Sequence, residues 1–572
     1  MRLINTSTGE FEEFIGRNIP GYAILSHTWE EEEVSYQDYL GGACSYKKGY
    51  GKIRKTLELA KESGVLYSWV DTCCIDKSSS AELTEAINSM YQWYERSEKC
   101  FVYLSDLEEG ADLKTHLSKC RWFSRGWTLQ ELIAPGCLRT HFFDGKWNYV
   151  GSKQSLRFQL SFITGINIGV LSHSEALSSI CVAHKMSWAA KRETTRIEDM
   201  AYCLLGLFDV NMPLLYGEES RAFRRLQEEI IRTRPDFSIF AWWDESLKTK
   251  HPHLPADLRY HCGALAQTPF PFGPAISLFA EPSRSFSKEF SVCNHGVKTQ
   301  SIIFRKKDPF GSSGSYILPL SLSRAGHYIG IRLRKTGRNT YVRHSPFNLH
   351  EYIDAPECNI PIPGDNYILV DKPSSVHLSG RIHHFDARGL WTELWLDSHH
   401  QDFLSIEFAA FVEVHDYWGC FDKEDQVFFD PQRDGTDCAG IRFSVHLPKN
   451  DLGFDPSATF ECVLYAIGWL TSGETTQFTV IGSEQRKKDI SIIEREFAQG
   501  SDHLSRLRPI FNHLNIPKES SIAFPIIGSG YSVVVYLEFL EVMFLSKRIR
   551  VSCRIEKNKR ITIPELSYKV HW

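Results

Sequence analysis

The segment Ser124-Arg125-Gly126-Trp127-Thr128-Leu129-Gln130-Glu131-Leu132 sets an indole and a carboxylate four residues apart. On a helix, positions four apart share a face, so Trp127 and Glu131 are expected side by side. A carboxyl against an aromatic wall is partly desolvated. Its pKa rises, and its charged form responds more strongly to a developing cation. Two further clusters join polar and aromatic groups. Ser26-His27-Thr28-Trp29 offers an imidazole for hydrogen bonding or acid–base work and an indole face on which a base can stack. Trp69-Val70-Asp71-Thr72-Cys73-Cys74-Ile75-Asp76 offers Asp71 as an acceptor for a ribose hydroxyl. Each cluster also has a plain structural reading: a satisfied histidine, a core indole, an aspartate capping the next element, a glutamate on a solvated face.

The loop Gly41 to Lys52, GGACSYKKGYGK, could approach a pyrophosphate through backbone N–H groups and Lys47 or Lys48, or be a solvated connection. Common catalytic signatures are missing. There is no G-x-x-x-x-G-K-[ST], no G-x-S-x-G and no H-E-x-x-H. His383-His384 and His399-His400 are adjacent pairs, not the i, i+4 spacing that puts two ligands on one helix face, so no metal site is expected.

Alternating elements must position these residues. Tyr22 to Trp29 is a short apolar run that ends in polar residues, and Val65 to Asp76 reads as a second strand. Between them, Ile53, Leu57 and Ala60 fall on one helical face. Ser79 and Glu82 have capping-box spacing and open a helix with Leu83, Ile87, Met90, Tyr91 and Tyr94 on one side. Lys99 to Asp106 is a third strand, GWTLQELIAPG a short helix stopped by Pro135-Gly136, and Arg139 to Phe143 a fourth strand. This β-α order implies a mostly parallel sheet with helices on both faces. Ligands of such sheets sit beyond the carboxyl ends of the strands, where all three clusters fall.

Residues 170–235 read as helical, with Ala222, Phe223, Leu226 and Ile230 on one face. After Trp243 glycine and proline become frequent and alternating strands dominate. Examples are Ile329, Ile331 and Leu333, then Ile549, Val551, Cys553 and Ile555 before a hairpin turn at Glu556 to Lys559. This half is expected to form one or two antiparallel, sandwich-like domains. No repeat of ~40 residues signals a propeller.

The 572 residues have 42% apolar and 24% charged content, which fits a folded chain of about three or four domains. Lys+Arg 65 against Asp+Glu 70 leaves a net charge of −5, so no nucleic-acid surface or polybasic membrane anchor is indicated. The 15 cysteines lack framework or C-x-x-C spacing, which points to reduced thiols inside a cell. The acids of MRLINTSTGEFEEF do not suit a signal peptide. Val533 to Leu545, broken by Glu538 and Glu541, is too short for a membrane span and reads as strand. A cytoplasmic protein is expected.

The blocks YAILSHTW, WVDTCCIDK with ELTEAINSMYQWY, and RGWTLQEL resemble, in order and spacing, the three blocks of the fungal heterokaryon-incompatibility (HET) domain. EDMAYCLLGLFDVNMPLLYGEESRAFRRLQEEII is similar to the segment that often follows that core. The resemblance covers residues 1–240. HET domains are in turn similar to Toll/interleukin receptor (TIR) domains. That likeness implies an α/β flavodoxin-like (TIR-like) domain over residues 1–160; with the patterning above, a helical extension is expected over 161–245 and a β-rich, sandwich-like region over 246–572. The TIR pattern Trp-Cys-x-x-Glu-Leu is matched by Trp127, Thr128, Glu131 and Leu132, with threonine replacing cysteine. By that resemblance Glu131 is the catalytic carboxylate for cleaving the nicotinamide–ribose bond of NAD, which is substrate rather than cofactor. Ser26, His27, Trp29, Asp71, Arg125 and Trp127 are then the candidate substrate-binding residues, and no metal is required. The family also implies a role in fungal self/non-self recognition and cell death, self-association on activation, and a possible protein partner for the β-rich half. A non-enzymatic interaction module is the alternative.

Overall fold

The computed structural model describes residues 1–370 apart from 17, 43, 249–260, 281–289, 295, 301–302, 307–315, 338, 353–358 and 363–364; beyond 370 it describes only the backbone of strand segments between 391 and 557. The N-terminal region is built on one sheet of seven strands. These are β1 (Arg2–Asn5), β2 (Phe11–Glu13), β3 (Tyr22–His27), β4 (Tyr67–Trp69), β5 (Lys99–Tyr103), β6 (Thr140–Phe143) and β7 (Tyr149–Ser152), in the order β2-β1-β4-β3-β5-β6-β7. The central strands β4, β3, β5 and β6 run parallel, while β1, β2 and β7 complete the edges antiparallel. β3 is buried along its whole length between two parallel neighbours, which explains why its sequence is a continuous apolar run rather than an alternation.

The second apolar run forms only three residues of strand. After Trp69 the chain closes on itself: the Cys74 N–H donates to the Val70 carbonyl at 2.8 Å, and the Val70 N–H donates to Cys74 Sγ at 3.3 Å. That turn removes Asp71 to Cys74 from the ladder and places Asp71 at the carboxyl end of β4.

Helices α1 (Tyr36–Leu40) and α2 (Tyr50–Glu62) connect β3 to β4, and α3 (Ser80–Arg96) connects β4 to β5. α2 buries Lys52, Ile53, Thr56 and Ala60; α3 buries Ala86, Ile87, Met90 and Tyr94, close to the spacing read from sequence. Only half of the expected capping box forms. Ser79 Oγ accepts the Glu82 N–H at 3.3 Å, but the Glu82 carboxylate accepts instead from the Asp76 N–H at 2.8 Å and from Arg2 Nη1 at 3.0 Å. A local cap has been exchanged for a tie between α3 and the N-terminal hairpin.

Then follow α4 (Leu113–His116), α5 (Thr128–Ile133), α6 (Arg157–Thr164), α7 (Ile168–Leu171), α8 (Val182–Ala189), α9 (Asp199–Tyr202), α10 (Leu205–Phe208) and α11 (Arg221–Thr233). Every residue of α5 is buried, so it is a core element despite its length. α11 buries Ala222, Phe223, Leu226, Gln227, Ile230 and Ile231, one stripe of an otherwise charged helix.

One compact unit comprises Met1–Lys307, Ser315–Arg334 and Tyr341–Pro373, and includes an antiparallel sheet of 11 strands after the helices. In that sheet Ile329, Ile331 and Leu333 are buried, as their alternation predicts. Arg343 is buried against the Trp242 ring at 3.8 Å and donates to the Phe240 carbonyl at 2.9 Å. A second unit, Asp308–Gly314, Lys335–Thr340 and Ser374–Trp572, contains sheets of six and four strands. Its pairing is antiparallel except where Trp391–Asp397 runs parallel to Ser546–Lys557. The four histidines of the adjacent pairs lie outside the described residues. So does the end of the predicted turn, since that last strand continues through Lys557. Among the described residues, no helix is long and apolar enough to cross a membrane, and the cysteines from Cys44 to Cys293 are free thiols.

Candidate active site at the end of the central strand

From β3 the chain crosses to β4 on one side, and from β4 it returns to β5 on the other side of β3. The connections therefore diverge beside the carboxyl end of β3, the position at which open α/β sheets bind ligands. Ser26 and His27 are the last two residues of β3, paired in register with Val102 and Tyr103. Successive strand residues point to opposite faces, so these two side chains serve different environments.

On the Ser26 face lies Glu131. Ser26 Oγ donates to Glu131 Oε2 at 2.5 Å and accepts from Trp122 Nε1 at 2.8 Å. The Tyr94 hydroxyl, 3.0 Å from the Leu25 carbonyl oxygen, is also a hydrogen-bonding neighbour of the carboxyl. Glu131 is 6% exposed. Burial pushes its pKa up to about 8, the charge of Asp71 adds to the rise, and Ser26, Tyr94 and Arg125 oppose it. The carboxyl is therefore mostly protonated at pH 7.

The turn before α5 explains how Glu131 comes to this place. The Gly126 N–H donates to the Glu193 carbonyl at 2.8 Å, and the Glu193 N–H donates to the Ser124 carbonyl at 2.7 Å. A Cβ on Gly126 would lie 2.5 Å from Thr194 Cγ2 and 3.2 Å from Cys203 Sγ, so only glycine permits this approach. Thr128 Oγ1 hydrogen-bonds the Trp122 and Arg125 carbonyls and accepts from Arg192 Nη1 at 2.9 Å. A hydroxyl serves these bonds better than a thiol, which accounts for threonine here. At the other end of α5, Lys153 Nζ donates to the Ile133 carbonyl at 3.1 Å and the Pro135 carbonyl at 2.9 Å. Burial pulls the Lys153 pKa down to about 7.

The His27 face is different. His27 Nδ1 is 3.9 Å from Asp71 Oδ1, and Nε2 is 3.9 Å from Glu33 Oε1, too far for hydrogen bonds. Neither ring nitrogen, nor Asp71 Oδ1, nor Thr72 Oγ1 has a hydrogen-bond partner, and all four atoms are buried. Burial holds the His27 pKa below the usual histidine range despite the nearby Asp71 and Glu33. Asp71 Oδ2 accepts from Trp29 Nε1 at 2.7 Å. The Trp29 indole is half in solvent, with Lys77 Nζ 3.5 Å from its ring centroid. Lys52 Nζ closes the floor by donating to Glu33 Oε1 at 2.5 Å and to the Thr28 carbonyl at 3.2 Å.

Ser26 and Glu131 thus meet directly, and His27, Trp29 and Asp71 form an adjoining group. Arg125 and Trp127 turn elsewhere: Arg125 Nη1 donates to Thr195 Oγ1 at 3.3 Å, and Trp127 is a hydrogen-bond partner of Asp199. The indole in the Glu131 network is Trp122. Helical spacing placed Tyr94 on the apolar face of α3 and gave it no role at the site; Trp122 sits in a short 3-10 turn, where such spacing gives no signal. The loop lysines are engaged by acids of their own segment. Lys47 Nζ lies 2.5 Å from Asp38 Oδ2, and Lys48 Nζ 3.9 Å from Glu32 Oε2. Among the described residues, no three His, Cys, Asp or Glu side chains are grouped to hold a metal.

Residues 22–114 match the family model for the heterokaryon incompatibility protein (HET), and residues 221–307 match a domain of unknown function, DUF8212. Over 222 residues the chain is 50% identical to vegetative incompatibility protein HET-E-1 of Podospora anserina; the match covers 37% of this chain and 16% of that protein's length. No solved structure matches the chain. The HET match contains Ser26, His27, Trp29 and Asp71 and ends before Glu131.

Proposed function

We propose that the N-terminal region is a flavodoxin-like, TIR-like module that hydrolyses NAD at its nicotinamide–ribose bond, in the service of vegetative incompatibility and cell death in a fungus. The observation that carries this reading is the Glu131 carboxyl, buried and hydrogen-bonded by Ser26 at the carboxyl end of the central parallel strand. The parallel strands in space run second, first, third, fourth, which is the start of the flavodoxin-like order. The match to the HET model and the likeness to a vegetative incompatibility protein support the biological role.

The chemistry needs little acid catalysis, because the pyridinium nitrogen is a good leaving group. The C1′–N bond breaks with its electron pair passing to nicotinamide, which leaves neutral. Water adds to C1′ and gives up a proton, yielding ADP-ribose. The transition state is oxocarbenium-like. Burial favours the neutral form of Glu131, and a cation beside it lowers its pKa and draws out the carboxylate. That carboxylate, oriented by Ser26, stabilises charge at C1′. Trp29 supplies a stacking face, Asp71 accepts from ribose hydroxyls, and His27 positions them. Arg125 and Trp127 act at one remove, by packing the turn that carries Glu131.

The near-complete cover over Glu131 favours activation by rearrangement, with self-association opening the site and the β-rich half receiving a protein partner. It also favours the second reading, an interaction module that signals by association without chemistry. A cytoplasmic setting fits the free thiols. The test is to incubate the purified chain with NAD at high protein concentration and to separate nicotinamide from ribosylated products. Release that disappears in Glu131→Gln supports hydrolysis; cell killing by Glu131→Gln with NAD untouched supports the interaction module.

A further inference from the structure

We infer that Arg192, outside the three sequence blocks, is a positioning residue for Glu131: it clamps the turn that launches α5 and supplies a buried positive charge beside it. This rests on Glu131 being the reacting carboxyl. Arg192 Nη1 donates to the Arg125 carbonyl at 2.8 Å and to Thr128 Oγ1 at 2.9 Å, and Nε donates to the Trp188 carbonyl at 3.3 Å. The next residue, Glu193, exchanges both backbone hydrogen bonds with Ser124 and Gly126. One short segment after α8 therefore holds the turn on each side of Gly126.

Two observations separate this from ordinary packing. First, the clamp borders a cavity. Residues 189–194 wall a cavity of about 530 Å³ that is also lined by Met200, Phe223 and Phe270. The Arg192 and Glu193 hydrogen bonds tie this wall of the cavity to the turn. Second, Arg192 is 5% exposed, forms no ion pair with a carboxylate among the described residues, and leaves Nη2 buried without a hydrogen-bond partner there. Burial lowers its pKa to about 10, so it stays charged at neutral pH. Its guanidinium reaches Thr128, one turn before Glu131 on α5, and a buried cation held against that turn favours ionisation of the carboxyl. The other titratable groups that face Glu131 are Asp71 beyond β4, Tyr94 on α3, Cys100 on β5 and Arg125 in the turn. Asp71 opposes its ionisation, and of the rest only Arg125, which turns outward to Thr195, is cationic.

The experiment uses the full chain in wild-type, Arg192→Met and Arg192→Lys forms. It follows the Glu131 carboxyl by carbon NMR across pH, with Glu131→Gln to identify the signal, and measures NAD cleavage in parallel. Arg192→Met is expected to raise the titration midpoint of Glu131 by about 1 pH unit. It should lower kcat about 10- to 100-fold with KM within about twofold, because the acid is misplaced rather than the substrate unbound. Arg192→Lys should restore the midpoint but not the full kcat, since an ammonium keeps the charge without the planar fork. Should Arg192→Met not fold, Thr128→Val removes one of the clamp's two acceptors in the turn, together with that hydroxyl's own bonds to the Trp122 and Arg125 carbonyls, while the guanidinium stays; kcat should fall with the midpoint unmoved. An Arg192→Met chain that folds with wild-type midpoint and wild-type kcat overturns the inference. A wild-type chain that leaves NAD intact, while Arg192→Met still moves the midpoint, rejects NAD hydrolysis and sustains the electrostatic role of Arg192.

Discussion

The two faces of β3 end in opposite states. On the Ser26 side the polar groups form a closed chain, from the Trp122 indole through the Ser26 hydroxyl to the Glu131 carboxyl. On the His27 side both ring nitrogens, Asp71 Oδ1 and Thr72 Oγ1 are buried without partners. An unsatisfied buried polar atom costs about 1–3 kcal/mol, so the second arrangement is costly and the first is not. The contrast separates two tasks. The acid is set by the fold itself, whereas the His27 group is the part of the molecule that gains most from hydroxyl-bearing ligand atoms.

The largest test of this contrast is catalytic. Glu131→Gln keeps shape and volume but cannot ionise. NAD cleavage should fall about 100- to 1000-fold with KM little changed, as measured by nicotinamide release. Next is the pH dependence of stability. The folded-state pKa of Glu131, about 8, lies above the ordinary carboxylate value, so the folded chain binds the extra proton between those limits. Stability should therefore fall as pH rises from about 4.5 to 8, by an amount on the order of a few kcal/mol. Lys153 works in the opposite sense above about pH 7, because its folded form releases a proton early. Thermal melts of Glu131→Gln should lose the downward slope; if they reproduce it, the charge cost has been assigned to the wrong group.

A smaller effect is expected at the turn. Gly126→Ala puts a methyl group against Thr194 and should lower stability by about 1–3 kcal/mol, read as a drop in the melting temperature. Smallest is the effect at the incomplete face. His27→Gln should raise KM for NAD about tenfold and leave kcat nearly unchanged, because a neutral hydrogen-bonding side chain remains. Equal kcat losses in Glu131→Gln and His27→Gln would erase the distinction between the faces.

Much of the architecture was legible in the sequence because it is encoded locally. The apolar run of β3, the 3.6-residue stripe of α3 and the Pro135-Gly136 stop of α5 each depend on neighbours a few residues away. The convergence of three clusters at one sheet edge followed from strand order. The site was less legible. Spacing paired Trp127 with Glu131, but Trp127 begins α5 and is drawn to Asp199. Ser79 and Glu82 carry capping-box spacing, but Arg2 and the Asp76 N–H take the carboxylate. In both cases a distant partner outcompeted the local one.

The sequence by itself indicated the four parallel strands and the helices between them, in order, and that Ser26, Asp71 and Glu131 would lie toward one edge of that sheet; the antiparallel edge strands β1, β2 and β7 carried no signal that was read. Only the tertiary structure decided that Ser26 and Glu131, 105 residues apart, share a hydrogen bond, that Trp122 joins them through the Ser26 hydroxyl, and that Arg192 reaches the turn before α5. Periodicity and capping act over one or two turns of chain. Desolvation and buried charge depend on what packs against a group from every direction, and those neighbours come from remote parts of the chain.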